Sequence, residues 1–518
     1  MIALRKDCSL KDTIKNIKNI LKKNNIKVKY KYYSFNNIFF SVRVFLKNFQ
    51  TIGTNGKGLT KKQALASGLS EFMERLQNKT LILPFFTIKV KENELFFKHT
   101  ELKDQSDEQK IIIKELLEES KISNAEAIFQ VKNYNLYLEY HDVINEKKIF
   151  LPYYLIKNLS YTNGMCAGNT YFEAVNQGIF EIFERHCLKN TLYYGQDVNI
   201  INKNQLLNLS IYSEIKKIEN MGYNVNIIDL SCKIFPVIGV LIERNKDKKY
   251  LFACASDFNI DIAIQRCLTE MFQGLKLENI EHKLKSKKLE MVFNYSNFYE
   301  AYKNNNAMLP KNFFENRKSI NLKNLPFKNV ISNQECLNEN LKLLEKNNYK
   351  IYILDNSILN YPAFQVVIPR LSTINILKLK EIEIQKEIPF LKKCYYNINN
   401  LKQDDAKSFV DLLIKINNEY KDFIPNLNTL LKITKFFKQS SNITLLGLAL
   451  FVSVKYDLDN QEVICNILKI KDKSKLINSV KKLSLQFPTC PNCDKCKIKN
   501  NCGYKIWYKM YNKIYTKC

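Results

Sequence analysis

Two groups of carboxylates and an arginine share one spacing in this chain, 110 residues apart. The first lies in GLTKKQALASGLSEFMER, Gly58 to Arg75, and the second in GNTYFEAVNQGIFEIFER, Gly168 to Arg185. At that single offset Gly58 pairs with Gly168, Thr60 with Thr170, Ala64 with Ala174 and Gly68 with Gly178; Glu71, Glu74 and Arg75 pair with Glu181, Glu184 and Arg185. A third, partial copy, AIQRCLTEMFQG, puts Ala263, Glu270 and Gln273 at the places of Ala64, Glu71 and Glu74. On a helix Ser67, Glu71, Glu74 and Arg75 fall at i, i+4, i+7 and i+8 and form one stripe, which Gln177, Glu181, Glu184 and Arg185 repeat. If the stripes face each other, four carboxylates converge. Such a cluster is costly unless cations neutralise it, and Mg²⁺ carrying a polyphosphate is the usual solution. One copy alone reads more readily as ordinary surface charge patterning; seven matched positions led by a glycine favour a shared function.

The elements that must position these groups are apolar. Leu65, Leu69, Phe72, Met73 and Leu76 surround the first stripe, and Ile179, Phe180, Ile182 and Phe183 the second. A surface helix shows its polar side to water, so this composition predicts helices lining an enclosed site. The intervals between copies, 110 and then 89 residues, exclude a short-period solenoid. Of 13 glycines, Gly53, Gly56, Gly58, Gly68, Gly164, Gly168, Gly178 and Gly274 lie in or beside the copies, as tight turns or close backbone approach to a ligand require. Lysine dominates the basic residues, and Arg75, Arg185 and Arg266 are three of eight arginines, where a planar, permanently charged fork is of use.

TNGKG (Thr54 to Gly58) leading into SGLSEFMER, TNGMCAGNT (Thr162 to Thr170) leading into QGIFEIFER, and SDFNIDIAIQRCLTEMFQG resemble the signature blocks of the YcaO family. The resemblance runs in order from KDCSLKDT to about Leu401, with a weaker echo to about residue 470. It implies ATP and Mg²⁺ as cofactors and activation of a peptide-backbone amide oxygen, giving azolines, thioamides or amidines. The type member is instead linked to β-methylthiolation of a small-subunit ribosomal protein. By resemblance Glu71, Glu74, Glu181 and Glu184 would hold Mg²⁺, with Glu270 close by, and Lys6, Ser67, Asn169, Glu173, Arg185 and Arg266 would contact the nucleotide. Thr13 and Cys166 stand where the family has serine; threonine keeps the hydroxyl, whereas a thiol is a weaker hydrogen-bonding group. GTNGKGLT lacks the spacing of a P-loop, no GxGxxG opens a helix, and GKG by itself is weak evidence.

Strand-like runs interleaved with the repeated helices read as a fold of mixed α and β. The resemblance implies a YcaO-type domain over residues 1–400 and a helical extension over 401–480, and a Cys-rich tail over 481–518 departs from it. Residues 11–24 read as a helix and Val28 to Val44 as aromatic-rich strands. Strand-like runs recur at Leu81–Val90, Val225–Leu230, Val237–Ile242 and Tyr349–Leu354, while residues 279–330 read as a helix and long loops. A chain of 518 residues, 46% hydrophobic, can bury a large core. The net charge of +29 invites a nucleic-acid reading, but the lysines are spread along a chain also rich in asparagine and isoleucine, so nucleic acid is not favoured. MIALRKDCSL has no apolar core for a signal sequence, and Leu445 to Val454 is too short to span a bilayer and reads as a buried helix. The expectation is a cytoplasmic, homodimeric protein acting on a peptide or protein, a ribosomal protein being one candidate, beside a sulfur-inserting or other modifying partner.

Cys8, Cys187, Cys232 and Cys394 are isolated and read as buried reduced side chains. Cys490, Cys493, Cys496 and Cys502 form CxxCxxCx₅C, a metal-ligand spacing suited to Zn²⁺ or a [4Fe–4S] cluster. His99, His141, His186 and His282 make no ligand set with the motifs; His186 follows Arg185 but reads as a core histidine. The chemistry would then rest on ATP. The chain ends KMYNKIYTKC, with Pro491 its last proline, whereas azoline-forming members commonly end in a PxPxP tail. A role like the type member's, or thioamidation, is therefore expected ahead of cyclodehydration in modified-peptide (bacteriocin-like) biosynthesis. A nucleotide-sensing adaptor that docks a sulfur-inserting partner is the rival class.

Overall fold

The computed structural model describes residues 5–47, 49–81, 105–120, 137–275, 277–286, 293–304, 308–315, 317–376, 387, 390–391, 393–395, 397–419, 445–468, 473–474 and 477. Helix α1 (Leu10–Lys23) starts at Ser9, whose side chain accepts from the Asp12 amide, and buries Thr13, Ile17 and Leu21, four residues apart. Strands β1 (Val28–Phe35), β2 (Phe39–Leu46) and β3 (Phe49–Gly58) make an antiparallel meander that runs into α2 (Lys61–Gln77). There follow α3 (Asp107–Leu117), β4 (Tyr137–Asp142), β5 (Lys147–Pro152), α4 (Tyr153–Ser160), β6 (Met165–Ala167) and α5 (Tyr171–Leu192). Next come β7 (Asn199–Ile201), α6 (Tyr212–Glu219), β8 (Tyr223–Asp229), β9 (Val237–Arg244), β10 (Tyr250–Ser256) and α7 (Ile260–Met271). Helix α8 (Tyr295–Asn304), β11 (Ser319–Ile320), α9 (Asn333–Lys346), β12 (Tyr352–Asp355) and β13 (Ala363–Val367) complete the mixed body. Beyond it lie α10 (Gln403–Glu419), α11 (Leu445–Lys455) and α12 (Gln461–Ile467).

One unit is built three times. The sheets have strand orders β1-β2-β3, β5-β4-β12-β13-β6 and β10-β9-β8-β7-β11, and each has at one end the strand that leads into a repeated helix: β3 into α2, β6 into α5, β10 into α7. Thr60 and Thr170 cap α2 and α5 by accepting from the amides of Gln63 and Glu173, and Asn259 caps α7. The glycines explain how helix and strand come so close. A Cβ on Gly68 would sit 3.1 Å from the Gly56 nitrogen, and one on Gly178 would sit 3.1 Å from the Gly164 oxygen. Gly164 itself has φ +79°, where a side chain would be strained.

Both carboxylate-bearing helices are wedged between sheets, which is why they are apolar almost all round. In α5, Val175, Ile179, Ile182 and Phe183 pack in one core with Ile228, Val237 and Leu241 of one sheet and Phe364 and Val366 of another. In α2, Leu69, Phe72 and Met73 are fully buried against Val42 and Val44 on one side and Tyr361 and Ala363 on the other. Each such side chain contributes on the order of 1.5–3 kcal/mol. A separate core, from Leu391 to Cys465, is centred on α11, every described side chain of which apart from Gly447 and Lys455 is buried.

The expected mixture of α and β holds, as do the helix near residues 11–24, the strands over Val28–Val44 and the buried helix at Leu445–Val454. The stretch 279–330 departs from helix and loops by including β11, two residues pairing parallel with β7; so short a strand has no alternation to read. Cys187 and Cys394 are buried as expected, but Cys8 is exposed, because the segment before α1 crosses the surface. The strand expected beyond Leu81 and the CxxCxxCx₅C tail lie outside the described residues. Among the described residues no helix is long and apolar enough to cross a membrane.

Candidate functional site

The stripes on α2 and α5 expose the same positions in the same order. Ser67, Glu71 and Arg75 are half-buried with Glu74 buried; Gln177, Glu181 and Arg185 are half-buried with Glu184 buried. Arg75 Nε lies 3.4 Å from Glu74 and 3.8 Å from Glu71, and Arg185 Nη1 lies 3.3 Å from Glu184. The two stripes feel each other across the seam: Glu74 and Glu181 repel, and Arg75 attracts Glu181. Burial pushes Glu71, Glu74 and Glu181 above the ordinary carboxylate range, with the neighbouring arginines opposing it. The third copy joins through Lys57, at the end of β3, which ion-pairs with Glu270 of α7. Burial and the nearby Arg266 lower the Lys57 amine to about 8, against the pull of Glu184 and Glu71.

A second group gathers at the N-terminal end of α5. Glu173 accepts from Lys6 Nζ at 2.9 Å, from the Asp7 amide at 3.1 Å and from Asn169 Nδ2 at 3.0 Å. Thr13 of α1 donates to Asn169 Oδ1 at 3.0 Å, and Thr170 donates to Asp7. Burial alone would raise the Glu173 carboxyl, but Lys6, Asn169 and the Asp7 amide bring it below its usual range. Along α5, the eleven residue steps from Glu173 to Glu184 span about 16 Å. One helix therefore carries both groups, separated by the order of length of an extended nucleotide.

Lys6, Thr13, Asn169 and Glu173 thus come together, as do Glu71, Glu74, Glu181, Glu184, Arg185, Arg266 and Glu270. Cys166 is fully buried behind them with its thiol 3.6 Å from the Phe364 carbonyl, and burial first, then Glu74 and Glu181, raises it. His186 is structural: burial lowers it to about 3, and its Nε2 meets Asn190 at 3.0 Å. Two residues escaped the sequence reading. Lys57 had a signal, a lysine between glycines in TNGKG, that counts for little until Glu270 is seen opposite. Tyr302, whose ring lies 5.4 Å from the Arg185 guanidinium, is 117 residues from it in sequence and had none.

The donor set fits a hard cation. Among the described residues no three His, Cys, Asp or Glu side chains converge tightly enough to encage a metal ion. The carboxylate oxygens of Glu71, Glu74, Glu181 and Glu184 are the hard donors that Mg²⁺ takes, with phosphate oxygens and water completing its shell. Arg185 Nε is buried with no hydrogen-bond partner among the described residues, a donor suited to an anion.

Comparison with known proteins follows the same lines. The profile of the YcaO cyclodehydratase, ATP- and Mg²⁺-binding family matches residues 55–372. An uncharacterised protein of Haemophilus influenzae is 26% identical over 359 residues, covering 64% of this chain and 60% of that protein. The ribosomal protein S12 methylthiotransferase accessory factor YcaO of Escherichia coli is 24% identical over 351 residues, again covering 64% and 60%. The chain therefore spans 60% of the length of the curated relatives it matches. A heterocyclase in complex with substrate and cofactor is similar in fold, with a TM-score of 0.52 at 16% identity over 71% of this chain and 53% of that one. YcaO from Methanopyrus kandleri, bound with AMPPCP and Mg²⁺, has a TM-score of 0.47 at 17% identity over 71% and 92%.

Proposed function

This chain belongs to the YcaO family of ATP- and Mg²⁺-binding proteins, and from that premise we propose that it activates a backbone amide of a peptide or protein at the expense of ATP, or serves as an accessory factor in ribosomal-protein methylthiolation. The observation that carries this reading is the approach of Glu74 and Arg75 on one helix to Glu181 on the other, with Lys57 near both Glu71 and Glu184. Glu71, Glu74, Glu181 and Glu184 hold Mg²⁺, with Glu270 beside them. Lys6, Thr13, Ser67, Asn169, Glu173, Arg185 and Arg266 take the nucleotide, with Cys166 behind it. Bound there, ATP would supply the phosphoryl group that makes an amide oxygen a leaving group. The chain's own residues would bind and orient: the low-dielectric seam strengthens each charge interaction, and Arg185 would offer the phosphates a planar, permanently charged fork. The division is residues 1–400 for this domain, 401–480 for the helical extension and 481–518 for the tail, in a cytoplasmic homodimer.

Glu184→Gln removes one buried charge with little change of shape. Calorimetry should show Mg²⁺–ATP binding weakened on the order of 100-fold; unchanged affinity would overturn the site assignment. The name of the Escherichia coli relative favours a second reading, a nucleotide-sensing adaptor for a sulfur-inserting partner. Substrate-dependent phosphate release with a change in substrate mass means an enzyme, and loss of one water in particular means azoline formation, as in a heterocyclase. Binding without turnover means an adaptor.

For the tail we propose that Cys490, Cys493, Cys496 and Cys502 bind one Zn²⁺ or a [4Fe–4S] cluster. The support is their spacing, since four close thiolates repel unless a metal offsets their charge. Anaerobically purified protein should carry about one zinc or four irons per chain, lost in the Cys493→Ser, Cys496→Ser double variant with nucleotide binding intact. Metal-free protein with four independently reactive thiols would sink the idea.

A further inference from the structure

Tyr161 occupies a backbone position that glycine normally fills. The Asn163 amide donates to the Ser160 carbonyl at 2.9 Å, closing a turn in which Tyr161 has φ 51° and ψ −110°. Those angles belong to the first central position of a type II′ turn, where a Cβ crowds the backbone. A bulky residue there is an outlier, and such strain persists where the surroundings over-determine it, most often at functional sites.

The surroundings lead to the candidate site. The Tyr161 ring stacks on Tyr302 with centroids 6.3 Å apart and planes at 28°, and meets Tyr299 at 6.0 Å. Tyr302 lies 5.4 Å from the Arg185 guanidinium. Its hydroxyl accepts from the Thr162 amide at 3.4 Å and meets Thr162 Oγ1 at 3.2 Å, so the turn after Tyr161 holds the far edge of the same ring. Arg185 needs such support. Glu184 holds one end of the fork at 3.3 Å, while Nε, buried, has no hydrogen-bond partner among the described residues. An ion pair at one end leaves a planar cation free to rotate about it; an aromatic face against the plane removes that freedom.

We infer that Tyr161 and Tyr302 are positioning residues that hold the plane of the Arg185 guanidinium toward the phosphate-bearing end of the cleft, and that the strained turn at Tyr161 exists to place its ring. This rests on the nucleotide reading above. It assigns a role to a strain that packing of α8 on α5 alone does not require.

The test compares Tyr161→Gly, which removes the ring and relaxes the turn, with Tyr161→Phe, which keeps both. Tyr161→Gly should melt no lower than the wild type. It should nonetheless bind Mg²⁺–ATP roughly tenfold more weakly by calorimetry, with AMP, which lacks the outer phosphates, bound as before. Tyr161→Phe should match the wild type, and Tyr302→Leu should repeat the selective loss. A merely structural Tyr161 would instead lower the melting temperature and weaken both nucleotides together, and that result overturns the inference. So does unchanged Mg²⁺–ATP binding in Tyr161→Gly. Wild-type protein that binds neither nucleotide overturns the nucleotide reading itself, which the wild-type titration alone reveals.

Discussion

Thr60 and Thr170 cap the first and second repeated helices alike, each accepting at 3.1 Å from the amide three residues on, and that third residue is where the two units part. Gln63 Oε1 accepts from the Leu59 amide at 2.8 Å and so closes its own helix start, a variant of the capping box. Glu173, at the same place in the second unit, turns outward to Lys6, the Asp7 amide and Asn169. A carboxylate can hold a cation and several donors at once, whereas an amide oxygen offers less. At the other end the units stay alike, each with a half-buried glutamate, a buried glutamate and a half-buried arginine. The comparison teaches that repetition builds the paired carboxylate stripes, while a single side chain gathers Lys6, the Asp7 amide and Asn169 at the start of one unit alone.

The largest effects should test the likeness. Gly68→Ala drives a methyl to 2.9 Å from Val44 and 3.1 Å from the Gly56 nitrogen; Gly178→Ala drives one to 2.9 Å from Val366 and 3.1 Å from the Gly164 oxygen. Overpacking costs about 1–3 kcal/mol, more than the roughly 1 kcal/mol that alanine gains over glycine inside a helix. Denaturant unfolding should show both variants destabilised by similar amounts. A loss at one and none at the other would break the equivalence of the units.

A smaller effect sharpens the difference. Glu173→Gln gives the second unit the first unit's residue and should cost about 1 kcal/mol of stability, with weaker nucleotide binding. The sign with pH follows from a carboxyl held below its usual range by Lys6, Asn169 and the Asp7 amide against the upward push of burial. Its stabilisation is complete above the ordinary carboxylate pKa, near pH 4.3, and is lost as pH falls through the lower folded-state value. The gap between wild type and variant should therefore be constant at neutral pH and shrink in acid; a gap indifferent to pH would show that the charge is not its source. The reverse change, Gln63→Glu, keeps an acceptor for the Leu59 amide but buries a carboxylate there, so it should cost up to about 1 kcal/mol and add no nucleotide affinity. A gain in affinity would mean that the cap residue suffices without Lys6 and Asn169.

Local geometry made much of this legible in advance. Residues at i, i+4, i+7 and i+8 share a helix face whatever surrounds the helix, so the stripes of Glu71, Glu74 and Arg75 and of Glu181, Glu184 and Arg185 could be read from spacing. Aromatic strands and the apolar run in α11 carried their own patterns. What spacing could not carry was any relation between distant segments. Lys57 is a lysine in a glycine turn until Glu270 of α7 stands opposite it, and Tyr302 is one aromatic among many until it faces Arg185. Nor could the angles at Tyr161 be read, since its neighbours in sequence do not ask for a left-handed residue.

By itself the sequence determined that three similar helices exist and which of their residues lie together, because the helical repeat and the capping threonines are properties of short segments. Only the tertiary structure decided that the stripes meet. Each repeated helix follows the end strand of a different sheet, and α2 and α5 are apolar enough to be buried between two sheets each. The remaining polar faces then have one place to go, the shared seam. There burial raises Glu71, Glu74 and Glu181 and makes a bound cation worth more than it would be in water.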